Sequence, residues 1–140
     1  MNKRTCVLLV DDDSGTNFIN KLILSRVSSS LPVETVLNGK EAIDFIKSSR
    51  NKDVVSEQYF ENILIFLDIN MPVMDGWCFL EAFKLLPDDY KKNVSIIMLT
   101  TSLNPEDKLR SDTYSEVSGF YNKPLSIVIV KEILNTHFSY

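Results

Sequence analysis

The stretch ILIFLD, Ile63 to Asp68, sets five consecutive large apolar residues against a single terminal acid. A run this short and this uniformly apolar suits a strand buried on both faces, as at the centre of a parallel sheet. The acid then lies at the strand's carboxyl end. Strand-like segments recur at Cys6 to Val10, Val33 to Leu37, Val94 to Leu99 and Val117 to Tyr121. Segments of helical period separate them. A helix from about Ser14, whose hydroxyl can cap it, carries Phe18, Ile19, Leu22 and Ile23 on one face. Asn38-Gly39 reads as a turn, after which Ala42, Ile43 and Ile46 place a second helix against the sheet. Asp75-Gly76 opens a third with Phe79, Leu80, Phe83 and Leu86, and Asn104-Pro105 starts a charged fourth with little apolar content beyond Leu109. Ser126 to Phe138 closes the chain as a fifth helix, and the polar stretch from Ser48 to Asn62 reads as an enlarged surface loop.

Parallel strands need crossover connections, so this alternation predicts an α/β fold: a five-stranded parallel sheet, doubly wound, with five helices on its two faces. Ligands in such folds bind beyond the carboxyl ends of the strands, where strand order reverses. A length of 140 residues with 44% hydrophobic content is enough for one core, so residues 1–140 are expected to form one domain. A formal charge of -4 leaves no basic face to track a phosphate backbone, which argues against nucleic-acid binding and for a protein partner. Cys6 and Cys78 show no metal-type spacing and suit a reducing compartment as small buried residues. No apolar run reaches bilayer length, and Met1 to Arg4 leads directly into a strand, so no membrane association and a cytoplasmic location are expected.

The residues that follow each strand share one chemistry. Strand one ends in Asp11-Asp12-Asp13, strand three in Asp68, strand four in Thr100-Thr101-Ser102, and strand five in Lys123-Pro124. If strands one and three are neighbours, at least two of the N-terminal acids lie beside Asp68, and their repulsion calls for a cation. Hard oxygen donors and few carboxylates suit Mg²⁺. Lys123 adds a point charge that can pair with Asp68 and later with a phosphoryl group; Thr100 adds a hydroxyl donor. A carboxylate in such a site can act as a nucleophile and form an acyl phosphate.

VLLVDDDSG, IFLDINMPVMDGW, IIMLTTS and FYNKPLS together resemble, in order and spacing, the motifs of response-regulator receiver domains of two-component signalling. The resemblance spans essentially the whole chain and implies the flavodoxin-like strand order 2-1-3-4-5. It implies Asp68 as phosphoacceptor, Asp12 as a direct Mg²⁺ ligand, Asp11 as a ligand through water, and the backbone carbonyl of Asn70 as a further one. Met71-Pro72 would fix the loop beneath the metal, while Thr100 and Lys123 would hold the phosphoryl group. The switch aromatic would be Phe120, with Tyr121 beside it; a phenylalanine has no hydroxyl to present outside. Thr101 is a second departure, since a smaller residue often stands there.

The same resemblance implies a histidine kinase or histidine phosphotransfer protein as phosphodonor. The single histidine, His137, provides no internal donor pair. Output is expected through the fourth helix, last strand and closing helix, toward an unknown downstream protein or a second copy in a homodimer. In that reading the chain is a free-standing signalling module, catalysing only its own phosphorylation and dephosphorylation. Two other readings compete. Asp11-x-Asp13 is similar to the opening motif of haloacid-dehalogenase phosphatases, although Gly15 stands where that family usually has Thr or Val. A flavin carrier would share the topology alone, with three acids where its phosphate loop belongs.

Overall fold

Strand residues alternate between two apolar layers, which is why their runs are continuous rather than alternating. Cys6, Leu8, Val10, Ile63, Ile65, Leu67, Ile96 and Met98 enter one layer, and Val7, Leu9, Leu64, Phe66, Ile97 and Leu99 the other. The computed structural model describes residues 4–50 and 60–138. In chain order these form β1 (Thr5–Val10), α1 (Ser14–Val27), β2 (Val33–Val36), α2 (Gly39–Arg50), β3 (Asn62–Leu67), α3 (Gly76–Lys84), α4 (Asp88–Lys91), β4 (Val94–Thr100), α5 (Pro105–Asp112), β5 (Val117–Asn122) and α6 (Ile127–Phe138). All strand pairs are parallel, in the order β2-β1-β3-β4-β5. Strand order therefore reverses between β1 and β3, as the resemblance implies. Buried residues of α2 and α3 cover the first layer, and those of α1 and α6 cover the second.

Several expectations need correction. There are six helices among the described residues, because the one-turn α4 follows Pro87. Asp13, not Ser14, caps α1, accepting from the N–H groups of Gly15 and Thr16. Asn38 is a cap rather than part of a turn, since its Oδ1 accepts from Glu41 N–H while Gly39 already belongs to α2. The expected loop from Ser48 to Asn62 is shorter, since α2 runs through Arg50 and β3 begins at Asn62; residues 51–59 lie outside the described residues. Cys6 is buried, but Cys78 is exposed on α3.

The largest difference is the orientation of α1. Phe18, Ile19 and Leu22 are 63%, 57% and 46% exposed, while Asn17, Asn20 and Leu24 are buried. The start of α1 lies over the ends of β1 and β2, where the Asp11 carbonyl lies past the sheet ladder and needs a donor. The Asn17 amide supplies it, donating to Asp11 O at 2.9 Å and, at 3.3 Å, sharing Val36 O, which also accepts from Asp11 N–H. Polar demand at the sheet's edge thus overrides the apolar count, and only Leu24, with half-buried Ile23 and Val27, anchors the helix in the core. Leu24→Ala should accordingly cost about 2–5 kcal/mol in urea unfolding. Ile19→Ala should stay within about 0.5 kcal/mol of the parent protein. Equal losses would contradict this orientation.

Candidate functional site

Backbone ladders deliver the acids to one place. Val10 and Leu67 are register partners at the ends of β1 and β3. One residue further on, Asp68 N–H donates to Val10 O at 3.0 Å, and Asp11 N–H donates to Val36 O at 3.2 Å. Asp11 and Asp68 therefore sit side by side at the switch point, anchored by the sheet itself. Asp12 completes the group: one carboxylate oxygen from each of Asp11, Asp12 and Asp68 lies within 4.8 Å of the others. Asp11 and Asp68 are buried, and Asp12 is exposed at the lip.

Lys123 reaches the same point from β5. Its N–H donates to Thr100 O at 2.8 Å, joining the ends of β4 and β5, and the Lys123-Pro124 bond is cis. Its Nζ lies 2.5 Å from Asp11 Oδ2 and 3.3 Å from Asp68 Oδ1. The sequence anticipates the pairing with Asp68, but the shorter contact is with Asp11. Burial pushes the Asp68 carboxyl above its ordinary range; Lys123 pulls it down, and the Asp11 charge pushes it up again. Burial also disfavours the Lys123 charge, yet its hydrogen bond with Asp11 and the attraction of both acids outweigh that, leaving its pKa raised. Three carboxylates and one ammonium (-3 + 1) leave a formal charge of -2 in the cluster. Such a set of hard oxygen donors could hold a divalent ion.

The loop after Asp68 is pinned at both ends. Gly76 N–H donates to Ile69 O at 2.8 Å, and Gly39 N–H to Met74 O at 2.9 Å. A Cβ at Gly76 would lie 2.6 Å from Asp68 O, so only glycine lets α3 approach the Asp68 backbone. The sequence reading takes Asp75-Gly76 only as a helix start, and Asp75 does cap α3. Asn70 is exposed on this loop, while Met71 is buried beneath it. Thr100 is fully buried, and its Oγ1 accepts from Ser102 N–H at 3.0 Å. Phe120 pairs with Met98 and Asn122 with Thr100, so Phe120 shares a sheet face with Thr100; Tyr121 packs against the opposite layer. Asn17 and Asn20 are missed by sequence reasoning, while Ser102 is read there only as part of the end of strand four. Only their polarity at otherwise apolar or loop positions could have flagged them.

This is a doubly wound fold with an acid cluster and a lysine at its switch point. Residues 7–135 match the sequence pattern of the response regulator receiver domain, and the chain belongs to that family. It is 32% identical over 128 residues to two-component response regulator 24 of Arabidopsis thaliana, covering 91% of this chain and 80% of that one. It is also 31% identical over 137 residues to hybrid signal transduction histidine kinase L of Dictyostelium discoideum, covering 94% of this chain but spanning only 7% of the kinase. Among solved structures, a two-component response regulator from Cytophaga hutchinsonii superposes with a TM-score of 0.83 at 26% identity, covering 99% and 100% of the two chains. The phosphatase reading loses support, because the Asp13 carboxyl is turned onto the start of α1. No helix among the described residues is long and apolar enough to cross a membrane.

Because the folded-state pKa of Asp68 is raised, its ionised form costs stability. That cost is absent below the ordinary carboxylate range and grows as pH rises through the titration of Asp68 in the folded protein. In divalent-free buffer at pH 7, Asp68→Asn should therefore raise the urea midpoint, and the gain should shrink toward acid pH. A lower midpoint at pH 7 would contradict the assigned sign.

Proposed function

We propose that the chain is a phosphorylation switch of a two-component phosphorelay, with Asp68 as phosphoacceptor. The observation that carries this reading is the buried Asp68 carboxylate at the switch point, 3.3 Å from Lys123 and clustered with Asp11 and Asp12. A carboxylate oxygen of Asp68 attacks the phosphorus of a phosphohistidine. A P–O bond forms, the P–N bond breaks, and the departing imidazole nitrogen keeps the electron pair and takes up a proton. Reversal of the switch is hydrolysis: water attacks phosphorus, the P–O bond to Asp68 breaks, and inorganic phosphate leaves with the carboxylate restored.

Lys123 has its charge where phosphoryl oxygens would gather, and Thr100 has a buried hydroxyl proton to donate to them. Asp11, Asp12, Asp68 and the backbone carbonyl of Asn70 would hold Mg²⁺. Bound there, Mg²⁺ would neutralise the excess negative charge and screen the incoming phosphoryl group. The donor is a histidine kinase or histidine phosphotransfer protein, and likeness to a segment of a hybrid histidine kinase supports such a donor. We read residues 1–140 as one cytoplasmic receiver domain whose output face is α5, β5 and α6. Thr100 and Phe120 form its switch, with Tyr121 on the opposite sheet face. That face would act on a downstream protein or form a homodimer.

Incubation with a small-molecule phosphodonor and Mg²⁺ should add one phosphoryl group by intact mass. The adduct should be absent in Asp68→Asn and after chelation of the metal. Mg²⁺ should also raise the melting temperature of the parent protein, by selective binding to the folded state, and do so much less in Asp12→Ala. A parent protein with no adduct, or an adduct that survives in Asp68→Asn, would refute the assignment.

A further inference from the structure

Ser102 takes no part in the phosphoryl chemistry above, yet each of its polar groups is engaged. It stands two residues past Thr100, between β4 and α5. Its N–H donates to Thr100 Oγ1 at 3.0 Å, and its hydroxyl donates to Asp107 Oδ2 at 2.5 Å. The same hydroxyl oxygen accepts from Asn104 N–H at 3.2 Å, and the Ser102 carbonyl accepts from Asn122 Nδ2 at 2.9 Å. Asn104 is the N-cap of α5 and Asp107 lies in its first turn; Asn122 directly precedes Lys123. One serine therefore joins the strand ends that carry Thr100 and Lys123 to the start of α5.

The Thr100 hydroxyl accepts from Ser102 and so keeps its own proton for another acceptor. Phe120, the aromatic on the same sheet face, has no hydroxyl through which a hydrogen-bonded response could pass. A polar response to Thr100 must therefore use a different group, and Ser102 is already bonded to it. We propose that Ser102 is a positioning residue of the switch: it sets the resting orientation of the Thr100 hydroxyl and transmits that hydroxyl's displacement to α5 through Asp107. This rests on the reading of Asp68 as phosphoacceptor. When Thr100 turns to donate to a phosphoryl oxygen, Ser102 N–H follows its acceptor, because an N–H left unpaired is costly. The Ser102 hydroxyl then carries the Asp107 carboxylate, and with it the first turn of α5. The helix moves as a hydrogen-bonded extension of the site.

The test is amide NMR of the full chain with Mg²⁺, before and after addition of beryllofluoride as a phosphoryl mimic. In the parent protein, amides around Asp68 and those from Glu106 to Asp112 should both shift. In Ser102→Ala the site amides should still shift while the Glu106 to Asp112 response is lost, and Ser102→Thr, which keeps the hydroxyl, should restore it. Full-sized α5 shifts in Ser102→Ala would overturn the proposal. So would an α5 already frayed before the mimic is added, which would make Ser102 a cap and nothing more. Should Ser102→Ala fail to fold, Asp107→Ala removes the same link and is read by the same two outcomes. A parent protein in which not even the site amides respond would overturn the phosphoacceptor reading as well, which separates the two failures.

Discussion

Three carboxylates within 4.8 Å of one another at the ends of adjoining strands repel, and a nearby positive charge relieves that repulsion. The protein supplies part of that charge with Lys123, whose Nζ touches both Asp11 and Asp68. The remainder is left open. A fold stabilised only for its own sake would not gather these groups, since burial raises the pKa of Asp68 even with the lysine present. The sheet enforces the arrangement: Asp68 and Asp11 are held by backbone hydrogen bonds that continue the β3-β1 and β1-β2 ladders. Repulsion at the site is thus opposed by the packing of two apolar layers beneath it.

Neighbouring features follow from the same constraint. Asn17 is buried because the Asp11 carbonyl needs a donor, and Gly76 is needed because a side chain there would strike the Asp68 backbone. Lys123 is placed through its backbone bond to Thr100, which links the ends of β4 and β5. Ser102 extends that linkage to α5. Asp68, its counter-charge Lys123 and α5 are therefore joined by a short sequence of polar contacts rather than by proximity alone.

Most of the architecture was legible because buried parallel strands leave uninterrupted apolar runs, as at Ile63 to Leu67 and Val94 to Leu99. Their terminal acids, hydroxyl and lysine could be read off for the same reason. What could not be read was side-chain direction where polar and apolar demands compete. Phe18, Ile19 and Leu22 form an apolar row on α1, yet they face outward, while the inward Asn17 bonds carbonyls at the strand ends. The α4 turn was hidden by its polar sequence, Asp88 to Lys91, in which no residue is buried. The nearer bond of Lys123 to Asp11, the approach at Gly76 and the hub at Ser102 depend on distances that spacing along a chain does not encode.

We propose that Asp11, Asp12 and Asp68 together hold a hard divalent ion. Mn²⁺ added in place of Mg²⁺ tests it directly, because its unpaired electrons broaden the amide NMR signals of residues close to where it binds. The account predicts selective loss of the Asp11 to Asp13 and Asp68 to Asn70 signals at low Mn²⁺, reversed by excess Mg²⁺. Broadening that instead begins at the exposed acids of α4, Asp88 and Asp89, and spares Asp68 would contradict it.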